Sequence, residues 1–327
     1  MIFKEGKESG VFLIYKEKGE LSMRVVEKLK RKFSFIKKVG HCGTLDPIAS
    51  GLLVCVVNKA TKLSDYVMQG RKIYRGVLRL GVSTTTDDLD GEVVKKSEEL
   101  PSFDKVKKAS ELFQGEIMQV PPAVSAVKVR GKRAYERVRK GEEVTLKGRR
   151  VYLYNFYVKE HTRPDEIFFE LTCSKGFYVR ALVRDLGEKL GCGAALKDLE
   201  RVYLEPFSVE RAKRVEEVEE QDLIPWQEIF AKTPVIEFPS SVCLRLMRGE
   251  QKTLSRSVML LDSAAGGSKR LLYKCSGCQK VLGLLERGGF IKGGKGVADK
   301  EAGVRWQIGA NVEECKCQSF GQLRGFI

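Results

Sequence analysis

An α/β (α+β) chain, one large domain followed by a small one, is what the sequence predicts. Strand-like and helix-like segments follow one another up to about residue 233, whereas beyond Pro234 glycines accumulate and periodic runs become scarce. The chain's 327 residues, 43% of them hydrophobic, are enough to bury a substantial core.

The elements read as follows. Val11–Tyr15 is a short apolar run and a first strand. Leu21, Val25, Leu29 and Phe33 recur every fourth residue and predict an amphipathic helix. Residues 40–51, rich in Gly, Thr, Asp, Pro and Ser, predict a structured loop, with Leu52–Val57 a buried strand after it. Ile73–Leu80 reads as a strand with one wet face that carries Arg75 and Arg79. Pro101–Phe113 reads as a helix with Val106, Ala109 and Phe113 on one stripe. Val151–Val158 and Glu166–Cys173 are two further strands, and Ser174–Gly176 a turn. Val179, Leu182, Val183, Leu186 and Leu190 then mark a helix ended by Gly191, with Arg180 in its first turn. No internal repeat is visible.

Residues 114–150 differ in texture. Pro121 and Pro122 interrupt regular structure, and Lys128, Arg130, Lys132, Arg133, Arg137, Arg139 and Lys140 follow, with Tyr135 among them. A solvated charged hairpin would look like this, but the whole chain has 59 Lys and Arg against 43 Asp and Glu, a net charge of +16. That excess favours a polyanionic partner, nucleic acid first among them, and a lobe that grips phosphates through Lys128, Lys132, Arg133, Arg137 and Arg139. No stretch has the length and apolarity of a membrane span, and MIFKEGKESG lacks the apolar core of a signal peptide, so a cytoplasmic protein is expected. Nine cysteines, an odd number in such a chain, argue against a disulfide framework.

The segment Gly40-His41-Cys42-Gly43-Thr44-Leu45-Asp46-Pro47-Ile48-Ala49-Ser50-Gly51 carries the chemistry. Pro47 biases Asp46 towards extended backbone, and Gly43 and Gly51 allow sharp turns and close approach to a ligand. A carboxylate displayed in this way can act as nucleophile or as acid–base group, although an Asp before Pro is by itself more often a turn former.

These residues resemble the GH-x-G-x-LDP-x-A-x-G signature of the stand-alone tRNA pseudouridine-55 synthases, the TruB family. The likeness continues through Asn58-Lys59-Ala60-Thr61-Lys62, Lys72-Ile73-Tyr74-Arg75 and Leu80-Gly81 to Thr86-Asp87 and Asp90-Gly91. Gln119-Val120-Pro121-Pro122, Ser125-Ala126, Lys128 and Cys173-Ser174-Lys175-Gly176-Phe177-Tyr178-Val179-Arg180 complete it. The blocks keep the family's order over roughly residues 10–210.

The resemblance implies a pseudouridine synthase domain with a long mixed sheet over residues 1–233, its basic RNA-gripping insertion at 114–150, and a small β-rich, PUA-like segment at 234–327. It implies isomerisation of a uridine in the T-loop of tRNA. The N1–C1′ bond breaks, the uracil turns over, and its C5 joins C1′. Nothing is oxidised or added, so no cofactor is expected. Asp46 matches the family's catalytic aspartate, either attacking C1′ or removing the C2′ proton, and Arg180 matches the arginine that pairs with it and favours its ionised form. Tyr74 matches the tyrosine that stacks on the target base, Tyr178 a second pocket tyrosine and Leu199 a pocket wall. His41 matches the histidine that fills the space left by the flipped base, and Lys62 is placed to hold a phosphate near the flipped nucleotide. A tRNA T-arm is the expected partner of a monomer, without guide RNA, protein partner or membrane.

Other motif-like features are set aside. Asp88-x-Asp90-Gly91 suggests a calcium loop, but Thr86 and Ser97 stand where acids are required. Gly293-Gly294-Lys295-Gly296 lacks the spacing of a P-loop. Cys275, Cys278, Cys315 and Cys317 offer four thiolates, but the second pair has the wrong spacing for a zinc ribbon, so no metal is expected. Val124 stands where the family usually has an aromatic, and the tail echoes its family counterpart only at Arg248-Gly249-Glu250-Gln251 and Val281-Leu282-Gly283-Leu284. Two alternatives share the scaffold: a guide-RNA-dependent pseudouridine synthase and a non-catalytic RNA-binding protein. Intact Asp46, Tyr74 and Arg180 speak against the second, and a glycoside hydrolase would need a second carboxylate across the bond.

Overall fold

Strand β1 (Gly10–Lys16) leads into helix α1 (Ser22–Lys32). In this computed structural model the described residues are 9–247 apart from 126, 130, 139, 140, 143, 232 and 234, then 270–277, 281–287, 298–299 and 304–307. Helix α1 buries Ser22, Val25, Val26 and Leu29. Leu21 precedes the helix and is half exposed, so the predicted four-residue stripe is turned by about one position.

There follow β2 (Val39–His41), β3 (Ala49–Val57), α2 (Ser64–Gln69), β4 (Lys72–Leu80), β5 (Val82–Thr84) and β6 (Val93–Lys96). Next come α3 (Phe103–Glu111), β7 (Gly115–Gln119), β8 (Lys128–Val129), β9 (Lys132–Arg133) and α4 (Ala134–Val138). Strands β10 (Arg149–Glu160) and β11 (Glu166–Cys173), helix α5 (Val179–Leu190), β12 (Ala194–Leu204), β13 (Phe207–Ser208) and β14 (Ile224–Pro225) complete the first unit. Helix α5 ends on Gly191 at φ +78°, a left-handed position that glycine adopts without strain.

Among the described residues these strands form a ten-stranded sheet in the order β14-β1-β3-β12-β4-β11-β10-β7, with β2 on β3 and β13 on β12. Every neighbouring pair in this order is antiparallel except β12 with β3, and that parallel pairing makes the sheet mixed. Strand β3 is covered on both faces. Leu53, Cys55 and Val57 pack with α1 and α5 residues in one core, whereas Leu52, Val54 and Val56 pack with Leu63, Tyr66 and Phe230 in another. This is why its sequence is a continuous apolar run rather than an alternation.

One predicted boundary changes. The insertion expected over 114–150 is narrower, because β7 pairs Gly115–Gln119 with the start of β10 and both belong to the central sheet. Beyond it, β15 (Val235–Phe238), α6 (Ser240–Met247), β16 (Arg270–Cys275), β17 (Val281–Arg287), β18 (Ala298–Asp299) and β19 (Val304–Gln307) build a second sheet in the order β15-β16-β17-β19-β18. Its Leu272 is buried in the second core of the large sheet. Among the described residues no helix is long and apolar enough to cross a membrane.

Candidate active site

The loop between β2 and β3 is held by its backbone. The buried Ser22 hydroxyl, in the first turn of α1, donates to the Leu45 carbonyl at 2.9 Å and accepts from the Leu45 amide at 3.0 Å. The Ala49 amide closes a turn onto the Asp46 carbonyl at 3.0 Å. Gly51, at φ +97°, lies against Arg201 of β12, where an added Cβ would stand 2.5 Å from the Arg201 carbonyl oxygen. Only glycine lets the parallel strand approach this closely. Asp46 is thus presented by a fixed frame.

Helix α5 brings its partner. Arg180 Nε donates to Asp46 Oδ2 at 2.8 Å, Nη1 to the Thr86 carbonyl at 2.8 Å and Nη2 to the Val124 carbonyl at 3.0 Å. Asp88 lies 3.5 Å from the same guanidinium. The Arg180 side chain is 5% exposed and that of Asp46 is 37% exposed, so the pair has one dry and one wet member. Burial pushes the Asp88 carboxyl up, and the Thr86 hydroxyl and Arg180 oppose that shift. One turn along, Arg184 bonds Asp87 at 2.9 Å and the Val120 carbonyl at 2.9 Å. Buried Gln119 clamps both main-chain groups of Tyr178, accepting from its amide at 2.8 Å and donating to its carbonyl at 2.9 Å. The start of α5 is therefore tied to three separate loops.

Asp46 and Arg180 share a cavity of about 270 Å³ with Tyr74, Tyr178 and Leu199. Tyr74 is buried on β4, and burial raises its hydroxyl pKa, so it is neutral at physiological pH. Tyr178 stands under the Arg149 guanidinium, 4.4 Å from its ring centre. Leu199 of β12 pairs with Ala49 of β3 on one side and Gly76 of β4 on the other. Arg201 and Lys72 also line this space. Five of the residues singled out in the sequence thus converge on one cavity, Asp46, Tyr74, Tyr178, Arg180 and Leu199.

The others lie elsewhere. His41 sits on β2 opposite Cys55 of β3, outside the cavity lining, and Lys62 is exposed on the short helical turn Asn58–Leu63. Lys128, Lys132 and Arg133 belong to the paired strands β8 and β9, and Arg137 is ion-paired with Glu142 at 2.8 Å. Arg139 lies outside the described residues, as do Cys278, Cys315 and Cys317; Cys275 is buried, with its sulfur 3.4 Å from the Ser240 hydroxyl. Sequence reasoning missed Ser22 and Arg201, and it quoted Gln119 within the resemblance without a role. Only Arg201 left a signal, two residues beyond Leu199 and hence on the same strand face.

Two family models match the chain in tandem. The TruB family pseudouridylate synthase N terminal domain covers residues 30–179, and the tRNA pseudouridylate synthase B C-terminal domain covers 180–235. A protein named tRNA pseudouridine synthase B from Ruegeria sp. (strain TM1040) is 38% identical over 255 residues, 75% of this chain and 84% of the relative. One of the same name from Aquifex aeolicus (strain VF5) is 38% identical over 248 residues, 74% of this chain and 86% of the relative. Among solved structures, a Cbf5-Nop10-Gar1 complex superposes with a TM-score of 0.64 at 21% identity over 93% of this chain and 85% of that one. An H/ACA RNP bound to a substrate RNA containing 2'-deoxyuridine gives 0.62 at 19% identity, over 92% and 84%. At such identities the likeness is one of fold, and it agrees with the mixed sheet described above. Fold, matched domains and relatives together make this chain a member of the TruB family of pseudouridylate synthases, and so an isomerase.

Proposed function

We propose that this chain converts the uridine at position 55, in the T-loop of tRNA, to pseudouridine, with Asp46 as the catalytic carboxylate. The observation that carries the reading is the Arg180–Asp46 pair at 2.8 Å on the wall of a cavity lined by two tyrosines and Leu199. Arg180 engages Oδ2, and among the described residues Oδ1 accepts no hydrogen bond, which leaves that oxygen for the ribose. The cavity admits a single extruded base, so the target uridine must leave its stack, at a cost of a few kcal/mol. A T-loop keeps that cost low, since no duplex has to melt. Tyr74 offers a stacking face on the strand side and Tyr178 an aromatic wall on the helix side. The chain's charge of +16 supplies sequence-independent attraction to the RNA backbone.

The relatives' name, tRNA pseudouridine synthase B, supports tRNA as substrate. The test is pseudouridine mapping on an unmodified tRNA transcript and on an isolated T-arm hairpin, each incubated with purified protein alone. Product on both, within about tenfold of one another, is expected, because recognition centres on the loop. Product that requires an added guide RNA would overturn the stand-alone reading.

A further inference from the structure

The Asp46–Arg180 pair accounts for one side of the cavity, and the strand side carries charge that it does not use. Arg201 is 1% exposed. Its Nε donates to the Leu52 carbonyl at 2.8 Å and its Nη2 to the Gly43 carbonyl at 3.1 Å, and among the described residues no carboxylate pairs with it. Arg201 and Tyr74 are direct cross-strand partners on β12 and β4, so their side chains rise from the same face. Lys72, two residues before Tyr74, is also buried and lines the same cavity, with its ammonium on the carbonyls of Met68 at 2.9 Å and Gly70 at 3.0 Å. Gly43, at φ +101°, puts no side chain against Arg201 Nη1, which an added Cβ would meet at 3.5 Å.

A buried cation without a counter-ion costs several kcal/mol, more than two carbonyl contacts return. As a clamp for the loop, a neutral donor would serve as well. The reaction provides a use for the charge. When N1–C1′ breaks, the bonding electron pair stays on N1. If Asp46 attacks C1′, its carboxylate becomes a neutral ester; if it takes the C2′ proton, it becomes a neutral acid and the sugar gains a C1′=C2′ double bond. On either route one negative charge passes from Asp46 to the detached uracil, spread over N1, O2 and O4. When C5 bonds to C1′, the ester oxygen leaves, or the proton returns to C2′, and Asp46 is a carboxylate again. The C5 proton is lost and N1 takes one up.

We propose that Arg201, seconded by Lys72, stabilises the uracil anion in the interval between bond cleavage and rejoining. The assignment rests on Asp46 being the group that acts on the sugar. Tyr74 stands between Arg201 and the base. Arg201 acts on the Tyr74 hydroxyl both as a charge and as a hydrogen-bonding partner, and a guanidinium can only donate. The phenol proton is thereby left to point into the cavity, towards a carbonyl oxygen of the base. Fixed donors in a water-poor site act strongly on charge that develops there.

The test compares T-arm hairpins that carry uridine or 5-fluorouridine at the target position, with loss of the starting nucleoside followed by digestion and mass spectrometry under single turnover. Fluorine withdraws electron density, so the fluorinated base leaves as an anion with less help. Arg201→Met is expected to slow uridine consumption by about 10²-fold, and to slow 5-fluorouridine consumption at least about fivefold less. Should that variant not fold, Lys72→Met is expected to show the same selective loss at about tenfold. Equal slowing of both hairpins would overturn the proposal and leave Arg201 a clamp for the loop, and unchanged rates on both would overturn it too. A wild-type protein inert on uridine would instead remove the parent reading, and this one with it.

Discussion

Helix α5 delivers Arg180 and strand β12 delivers Arg201 to the same cavity, but they arrive with different company. Arg180 is surrounded by two carboxylates, Asp46 and Asp88, and two carbonyls. Arg201 has two carbonyls and the neutral Tyr74 hydroxyl, and among the described residues no carboxylate. A cation whose counter-charge is built in can be explained by architecture as well as by chemistry. A buried cation that lacks one points to negative charge brought by something else, here the reacting base.

The comparison breaks most severely at Asp46. Asp46→Asn keeps the shape of the side chain and removes the charge that Arg180 balances, which is also the charge proposed to react. Turnover is expected to fall by more than about 10³-fold. Binding of tRNA should stay within about tenfold, because phosphate contacts supply most of the affinity. A single-turnover assay beside a binding titration decides this, and residual turnover above about one hundredth of wild type would remove Asp46 from its role.

Stability sharpens the contrast between the two arginines. Arg180→Met leaves the buried Asp88 carboxylate without its cation, whereas Arg201→Met leaves two carbonyls and the neutral Tyr74 hydroxyl and deletes a charge with no carboxylate beside it among the described residues. Loss of one member of a buried ion pair is worth about 3–5 kcal/mol, and Arg201→Met is expected to cost clearly less. Chemical denaturation of both variants measures the difference. A larger loss at Arg201 would mean that its bonds to Leu52 and Gly43 are the main reason for its burial.

How much of this was legible in the sequence divides along similar lines. Strands β1, β3, β4, β10 and β11 and helices α1, α3 and α5 announce themselves by apolar runs or by a four-residue stripe, and the loop that carries Asp46 by its glycines and Pro47. Strand β12, central to the sheet and to the cavity, does not. Lys197, Asp198, Glu200 and Arg201 crowd its middle, so neither alternation nor an apolar run survives. Arg201 points inward because its charge is useful there, which is the kind of exception that local patterns cannot express. Strand β7 was hidden by exposed Met118 and by its place at the sheet edge. Of the cavity, the residues to which a motif gives a role were found, whereas Ser22, which acts from behind, was not, and Gln119 stood inside a motif without a role.

Tyr74 tests the strand side at an intermediate size of effect. Tyr74→Phe keeps the ring and loses the hydroxyl that faces Arg201, whereas Tyr74→Ala loses both. Stacking is worth about 1–3 kcal/mol per base, so the alanine variant should be slower than the phenylalanine one by roughly that amount. Turnover by Tyr74→Ala equal to wild type would reduce this tyrosine to packing.

The smallest effect expected is on stability and comes from Lys72. Burial lowers its ammonium from 10.5 to about 8, so the folded protein sheds this proton more readily than the unfolded chain does. Below about pH 8 both states hold the proton, and the folded state bears the whole cost of a buried cation. Between about pH 8 and 10.5 the unfolded chain binds more protons, so this contribution makes the folded state more stable as pH rises. Other groups titrate in the same range, but they do so equally in Lys72→Met, and the difference between the two proteins isolates the lysine. Wild type is therefore expected to gain on Lys72→Met by on the order of 1–3 kcal/mol over this window, read from urea midpoints at a fixed ionic strength. The sign follows from burial, with no carboxylate beside Lys72 among the described residues to oppose it. Had one been present, it would have held the pKa up, and wild type would show no gain over this window and would lose ground only above about pH 10.5. A flat difference would show that Lys72 keeps its ordinary pKa and that its bonds to the Met68 and Gly70 carbonyls offset its burial.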